Sequence, residues 1–184
     1  MIYFIRHGQT DWNVKRIVQA GTDIPLNDVG REQARTSAQE VAKLNIEHIY
    51  SSPLSRAFET AEIINAELRL GLPVVKDDRL REWSCGDLEG MSKNDLPGGT
   101  TWHSIRKEWK KYNAESAKQV FNRTKNFIDE IINKGLQNVL VVGHAGVTLM
   151  AQHYAKYKDL VEEVFFATTE KPPANAGIWK LESL

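Results

Sequence analysis

Short runs of apolar residues, many of them β-branched, alternate along the chain with longer stretches in which apolar residues recur at helical spacing. This alternation predicts an α/β fold, in which helices connect the strands of a sheet and cover both of its faces. We therefore expect a three-layer sandwich with a mostly parallel central sheet. The predicted strands span residues 2–5, 46–50, 73–76, 139–142, 161–167 and 176–181.

The helices predicted between these strands have recognisable ends. Asn27 is a favourable N-cap for the first helix, and Ser52 followed by Pro53 is typical of the start of the second. Gly135 ends the long amphipathic helix that precedes the strand at 139–142. The predicted helices span residues 28–43, 53–70, 101–111, 115–134 and 145–156.

Residues 81–99 are predicted to be irregular, since glycine and proline accumulate there. We interpret residues 84–118 as a short lid inserted into a single domain that spans residues 1–184. A chain of 184 residues is long enough to bury a sizeable core in one such domain.

Composition narrows the class of protein. The 24 basic and 24 acidic residues balance, which argues against nucleic acid or an anionic membrane as a partner. The single cysteine, Cys85, excludes an intrachain disulfide framework, and the N-terminus lacks the features of a signal peptide. The longest apolar stretch, 139–151, is too short to span a bilayer. We expect a cytoplasmic protein.

The predicted strands at 161–167 and 176–181 could offer an edge for pairing with a second copy of the chain, so a homodimer is one of the assemblies that the sequence allows.

Residues that could take part in binding or catalysis lie at the ends of three predicted strands. Arg6, His7 and Gly8 follow the first strand, Arg56 lies in the opening turn of the helix after the second, and His144 follows the strand at 139–142. Because the carboxyl ends of parallel strands share one edge of the sheet, these residues are expected to converge there.

The converging residue types indicate an anion site. A cation near a helix N-terminus, such as Arg56, is unfavourable unless an anion faces it. The N–H groups that follow His144, from Ala145 onward, would face the same anion. Each feature alone is more often a surface turn, a polar residue at the end of a buried strand or a solvated helix residue. Their occurrence at equivalent strand ends favours a phosphate dianion held by arginine, histidine and a helix N-terminus.

A metal site is the competing functional interpretation. The five histidines form no His-x-x-x-His pair, there is no cysteine cluster, and the nearby arginines would repel a metal ion. We therefore expect no metal and no cofactor.

Five ordered blocks resemble the histidine phosphatase superfamily, the phosphoglycerate-mutase-like group, over nearly the whole chain. The second block, from Asp23 to Gly30, resembles the family's next block, and the third, from Ser51 to Ala61, matches its arginine-bearing helix start. The five blocks lie at residues 6–13, 23–30, 51–61, 80–90 and 141–144.

The resemblance implies a catalytic assignment. His7 is the nucleophile that becomes phosphohistidine, and Glu82 donates a proton to the leaving group and later activates water. The phosphoryl oxygens would be bound by Arg6, Asn13, Arg56, His144 and the N–H of Ala145. The sequence departs from many relatives at Ala20, after Gln19, where they carry glycine. This departure puts in doubt a close approach of that backbone to substrate.

The implied activity is that of an acid-type, metal-independent phosphomonoesterase that acts on a small phosphorylated metabolite. A phosphoglycerate mutase is the first alternative, and a phosphate-binding protein without turnover is another. The residues offered as specificity determinants are Gln19, Ala20, Trp83, Trp102, His103 and Arg106. Aromatic side chains among them could stack on a base, so an α-ribazole phosphatase is a specific alternative within the family.

Overall fold

The computed structural model describes residues 1–96, 107–162, 165 and 173–181. These residues form a five-stranded sheet whose order is β3-β2-β4-β1-β5. The strands β1 to β4 are parallel, and β5 runs antiparallel to β1 at one edge. The strands are β1 (Ile2–Arg6), β2 (His48–Ser51), β3 (Val74–Lys76), β4 (Val139–Gly143) and β5 (Ile178–Leu181).

The helices cover both faces of this sheet. One face packs against α2 and α3, with Ile5 and Val142 in the shared core. The other packs against α4 and α5, with Phe4 and Val141 in the core. The helices are α1 (Asp11–Val14), α2 (Asp28–Val41), α3 (Ser55–Glu67), α4 (Ala117–Asn133) and α5 (Ala145–Tyr157). The predicted three-layer α/β architecture is confirmed.

Capping explains where the longer helices begin. The side chain of Asn27 accepts a hydrogen bond from the N–H of Gly30, as predicted. Ser116 forms a capping box with Gln119 at the start of α4, and Gly135 follows its end with a φ of 65°.

Two of the predicted elements are wrong. The second helix begins at Ser55, not after Ser52, because the Ser52 hydroxyl accepts from the N–H of Leu54 in a turn outside the helix. The strand predicted at 161–167 is not formed where it is described. The N–H of Phe165 donates to the carbonyl of Val161, a helical pattern, and its ring packs edge-on against His153.

The described part of the lid consists of turns. Short 3-10 helices span Gly86–Leu88 and Trp109–Tyr112, and another, Asp78–Leu80, precedes the lid. An antiparallel bridge joins Ile17 to Ser92. Of the helix predicted at 101–111, residues 101–106 lie outside the described residues. No described helix is long and apolar enough to cross a membrane.

A glycine pair sets the distance between the turn after β1 and α2. A Cβ built on Gly30 would lie 2.1 Å from the carbonyl oxygen of Gln9, and one built on Gly8 would lie 2.3 Å from the carbonyl oxygen of Gly30. Backbone therefore packs directly on backbone here. The turn that carries His7 can rest on α2 only because both positions are glycine.

We predict that Gly30→Ala destabilises the protein by about 2 kcal/mol or more, since the overpacking cost exceeds the gain of about 1 kcal/mol in helix propensity. Urea denaturation measures the change. Thr36→Ala, at an exposed position of the same helix, is the matched control and should change stability by less than about 0.5 kcal/mol. Equal stability of the two variants would show that the close packing imposes no constraint.

Candidate active site

Strand register brings the predicted residues to one edge of the sheet. Arg6 pairs with Gly143, and the N–H of His7 donates to the Gly143 carbonyl at 3.0 Å. The N–H of Ser52 donates to the carbonyl of Val142 at 2.9 Å. Ser52, His144 and His7 therefore stand side by side where β2, β4 and β1 end. The convergence expected from the strand ends is found.

The tautomer of His7 is set by its own backbone. His7 Nδ1 lies 2.7 Å from the carbonyl oxygen of Gly8. A carbonyl oxygen can only accept, so Nδ1 carries the proton and Nε2 of the neutral ring keeps its lone pair. The side chain is 3% exposed. The geometry thus leaves an unprotonated Nε2 that can act as a nucleophile.

His144 has the complementary arrangement. Its Nε2 lies 2.8 Å from the hydroxyl of Ser52, and its Nδ1 is buried without a partner among the described residues. With the Ser52 hydroxyl as donor, Nδ1 carries the proton and can donate to a bound anion. The rings of His7 and His144 meet edge to face, with centroids 5.1 Å apart.

Arg56 is fully buried near the start of α3, as the second residue of that helix. Its guanidinium donates to the carbonyls of Ala20, at 2.7 Å, and Thr22, at 2.9 Å. Its Nε has no partner in the described part of the chain. Asp23 accepts from the N–H of Ser55 and so ties the same loop to the helix start.

Arg6 and Asn13 lie on the other side of His7. The Nε of Arg6 is buried and also lacks a partner among the described residues, while Nη1 lies 3.4 Å from the carbonyl of Pro173. Asn13 uses its Oδ1 to accept from Thr10 and Asn175. Its amide NH₂ thus remains the group suited to an anion.

Glu82 is held at the start of α5. Its Oε1 accepts from the N–H of Gly146 at 2.9 Å and from that of Trp83 at 2.8 Å. Oε2 is therefore the oxygen suited to carry a proton. Burial lowers the pKa of Arg6 and of Arg56, and the Glu82 carboxylate opposes this shift in both.

Burial and positive charge control protonation in the site. The pKa of His7 lies well below its usual range, because of burial first and then Arg56 and Arg6. The pKa of His144 is likewise lowered well below its usual range, by burial, Arg56 and His7. Burial also lowers the pKa of Arg56 to about 10, which still leaves it charged at neutral pH. Two neutral imidazoles thus stand among cations.

The residues proposed from the sequence as specificity determinants differ in the contacts that they make. Gln19 accepts from the Thr10 hydroxyl, and the backbone of Ala20 is bonded to Arg56 and Glu89. Trp83 is buried in the core and donates to the carbonyl of Glu115, which argues against a direct contact with substrate. The predicted contacts of Trp102, His103 and Arg106 lie outside the described residues. The stacking role proposed for aromatic side chains there stays a prediction.

The N-terminus of α5 is shared between two functions. The N–H of Gly146 is taken by Glu82, whereas Ala145, the first residue of the helix, remains a candidate donor to an anion. No group of three histidine, cysteine, aspartate or glutamate residues that could hold a metal ion is found in the described ranges.

Sequence reasoning missed three residues that support the site. Thr60 accepts from the N–H of Gly8 and donates to the Arg56 carbonyl, which joins the turn after β1 to the start of α3. Asn175 donates to the carbonyls of His7 and Gly8. Glu89 accepts from the N–H groups of residues 20 and 22. Thr60 and Glu89 lie inside the recognised blocks, but no local signal marks Asn175.

Comparison with known proteins agrees with this geometry. Residues 2–165 match the model of the histidine phosphatase superfamily (branch 1). The chain belongs to the histidine phosphatase superfamily. The resemblance of the five sequence blocks is thereby confirmed.

Individual members of the superfamily show what this chain is similar to. It is 35% identical to phosphoglycerate mutase-like protein 4 of Arabidopsis thaliana, over 79% of this chain and 66% of the relative. It is also 35% identical to putative phosphoserine phosphatase 2 of Hydrogenobacter thermophilus, over 79% of this chain and 73% of the relative. Mycobacterial glucosyl-3-phosphoglycerate phosphatase complexed with VO3 superposes with a TM-score of 0.79, at 30% identity, over 96% of this chain and 90% of that one. The chain thus spans about two thirds of the first relative.

We predict that stability falls in mild acid because of the two histidines. Their pKa values are lower in the folded protein than the usual 6.5 of the unfolded chain, so the unfolded chain binds more protons as the pH falls. The contribution of the two histidines to the free energy of unfolding is thus fully present above about pH 6.5. Below that pH it is lost by about 1.4 kcal/mol per pH unit for each histidine. Urea denaturation between pH 7.5 and 5 measures this slope.

His144→Gln provides the comparison, because it removes one of the two titrating groups while keeping a polar side chain. The slope of the unfolding free energy against pH should fall to about half. An unchanged slope would mean that the buried imidazoles are not the source of the acid sensitivity.

Proposed function

We propose that this histidine phosphatase hydrolyses the phosphate ester of a small metabolite through a phosphohistidine formed on His7. The observation that carries the proposal is the 2.7 Å hydrogen bond between His7 Nδ1 and the Gly8 carbonyl, which leaves Nε2 as the nucleophile. Buried donors without described partners on Arg6, Arg56 and His144 support a phosphoryl group beside it.

In the first step, His7 Nε2 attacks phosphorus, the N–P bond forms and the P–O bond to the leaving group breaks. Arg6 and Arg56 stabilise the charge on the transferring phosphoryl group as fixed donors. Glu82 gives the proton on Oε2 to the leaving oxygen, so the product departs as an alcohol.

In the second step, water attacks phosphorus on the opposite side and the N–P bond breaks. The Glu82 carboxylate takes a proton from that water, inorganic phosphate leaves, and His7 returns to its neutral form. The two guanidinium groups supply the positive charge that this chemistry needs, and the neutral His144 ring donates the N–H of its Nδ1. We therefore propose a metal-independent enzyme. The lowered pKa of His7 keeps its nucleophile available in mildly acidic solution, which supports the acid-type activity.

Two further cations, Arg16 and Lys93, are candidates to bind a second anionic group on the substrate. The segments 16–18 and 90–93 pair antiparallel, with the N–H of Lys93 donating to the Arg16 carbonyl at 2.8 Å. Arg16 and Lys93 thus stand opposite each other in this pair. Burial lowers the pKa of Lys93, and Arg6 and Arg16 lower it further, while Cys85 and Glu82 oppose the shift. We propose that Lys93 and Arg16 receive a carboxylate or second phosphate.

The mutase alternative is favoured by the similarity to phosphoglycerate mutase-like protein 4. A mutase must keep water from the phosphohistidine while its product turns over. The segment between Gly90 and Glu115 is short for that purpose, which supports hydrolysis. The predicted cytoplasmic location and homodimer remain predictions.

We predict that His7→Asn lowers kcat by at least about a thousandfold, since the covalent route is lost. The assay is phosphate release from 3-phosphoglycerate in the presence of EDTA. His48→Gln, a substitution of a partly buried histidine outside the site, should leave kcat within about twofold of the parent. Full activity of His7→Asn would refute the covalent route, and isomerisation without phosphate release would favour the mutase.

We predict that Lys93→Met raises KM for phosphoserine by about tenfold, equal to about 1.4 kcal/mol. KM for ethyl phosphate, which has no second anionic group, should change by less than about twofold. Lys43→Met, at an exposed position just after α2, serves as the matched control. An equal rise in KM for both substrates would contradict a second anionic subsite.

A further inference from the structure

The guanidinium of Arg123, on α4, is the most fully bonded charged group near the Glu82 turn. Its Nη1 donates to the carbonyls of Arg79, at 2.7 Å, and Arg81, at 2.6 Å. Its Nη2 donates to the carbonyl of Glu82 at 3.1 Å and to Glu115, and its Nε donates to Glu115 at 3.0 Å. All five N–H donors of the arginine are thus in use.

Glu115 holds the other side of the same turn. Its Oε2 accepts from the N–H of Ser84 at 2.9 Å, and its carbonyl accepts from the Trp83 indole at 2.7 Å. The N–H of Glu115 donates in turn to the carbonyl of Ser84 at 3.1 Å. Arg123 and Glu115, which we call the acid clamp, therefore fix the backbone on both sides of Glu82.

The carboxyl of Glu82 depends on that backbone for its position. Its Oε1 is seated on the N–H groups of Gly146 and Trp83, and a Cβ on Gly146 would lie 2.5 Å from this oxygen. There is consequently little room for the carboxyl to be re-seated if the turn moves. The acid clamp does not touch the carboxyl, so its influence passes through the main chain.

We propose that Arg123 and Glu115 are positioning residues that hold Glu82 at the distance and angle needed for proton transfer to the leaving group. This inference rests on the proposed role of Glu82 as proton donor. Exposed ion pairs usually contribute little to stability, but this pair is bidentate and its arginine side chain is only 17% exposed. Lysine has three donors on a flexible stem and cannot reproduce the five-donor pattern.

The test uses the dependence of general-acid catalysis on the leaving group. A strongly basic alkoxide needs the proton of Glu82 as it departs, whereas 4-nitrophenolate departs without one. The value of kcat/KM reports the steps up to phosphohistidine formation. We expect Arg123→Lys to lower kcat/KM for phosphoserine by about tenfold or more, because a displacement of about 1 Å can cost a hundredfold. The value for 4-nitrophenyl phosphate should stay within about twofold.

Arg79→Lys is the matched control, because the Arg79 side chain joins the same turn to α4 through Asp77 and Glu130. A loss of structure alone would lower kcat/KM for both substrates equally in either variant. Arg79→Lys should therefore change kcat/KM for phosphoserine and for 4-nitrophenyl phosphate by the same factor, without discrimination between them. If Arg123→Lys does not fold, Glu115→Gln decides the question by the same criterion.

Glu82→Gln is measured in parallel to separate this inference from the proposed function. The acid clamp is supported if both Glu82→Gln and Arg123→Lys discriminate between the substrates, that is, lose more kcat/KM for phosphoserine than for 4-nitrophenyl phosphate. Discrimination in Glu82→Gln without any in Arg123→Lys or Glu115→Gln overturns the acid clamp alone. The absence of discrimination in Glu82→Gln overturns the role of Glu82 and the clamp with it.

Discussion

The hydrogen bond from His7 Nδ1 to the Gly8 carbonyl is the interaction on which the rest of the site depends. It fixes which ring nitrogen keeps a lone pair, and every other contact of the turn supports it. Thr60 holds the N–H of Gly8, and Asn175 donates to the Gly8 carbonyl from the opposite side of the chain. The close packing of Gly8 on Gly30 then leaves the turn no freedom to rotate.

Charge is concentrated in this site although the chain as a whole is neutral. Burying Arg6 and Arg56 is costly, and the cost is offset by carbonyl oxygens and by the carboxylates of Glu82, Asp23 and Glu89. Burial, together with the remaining positive potential, lowers the pKa of the two histidines and keeps them neutral. A phosphoryl dianion would complement that potential, since it is the ligand that two guanidinium groups and an imidazole N–H suit best.

The sequence was sufficient to predict the convergence of His7, Arg56 and His144, because strand ends of a parallel sheet share one edge. It could not predict contacts made by chain segments that are remote from one another. Asn175 lies 168 residues from His7, and Arg123 lies 41 residues from Glu82. Neither carries a local signal. The strand expected at 161–167 failed because Val161, Val164 and Phe165, separated by two glutamates, recur at the spacing of a helix, which the sequence prediction did not weigh.

The proposed mechanism requires that His7 is a neutral Nδ1–H tautomer in the free protein. This tautomer is observed in a ¹⁵N–¹H correlation spectrum of the histidine side chains, recorded between pH 7.5 and 5.5, with His7→Asn used to assign the His7 signals. We expect a protonated Nδ1 and an unprotonated Nε2 on His7 across that range. A protonated Nε2 on His7, whether as the other tautomer or as an imidazolium at pH 6.5, would contradict it.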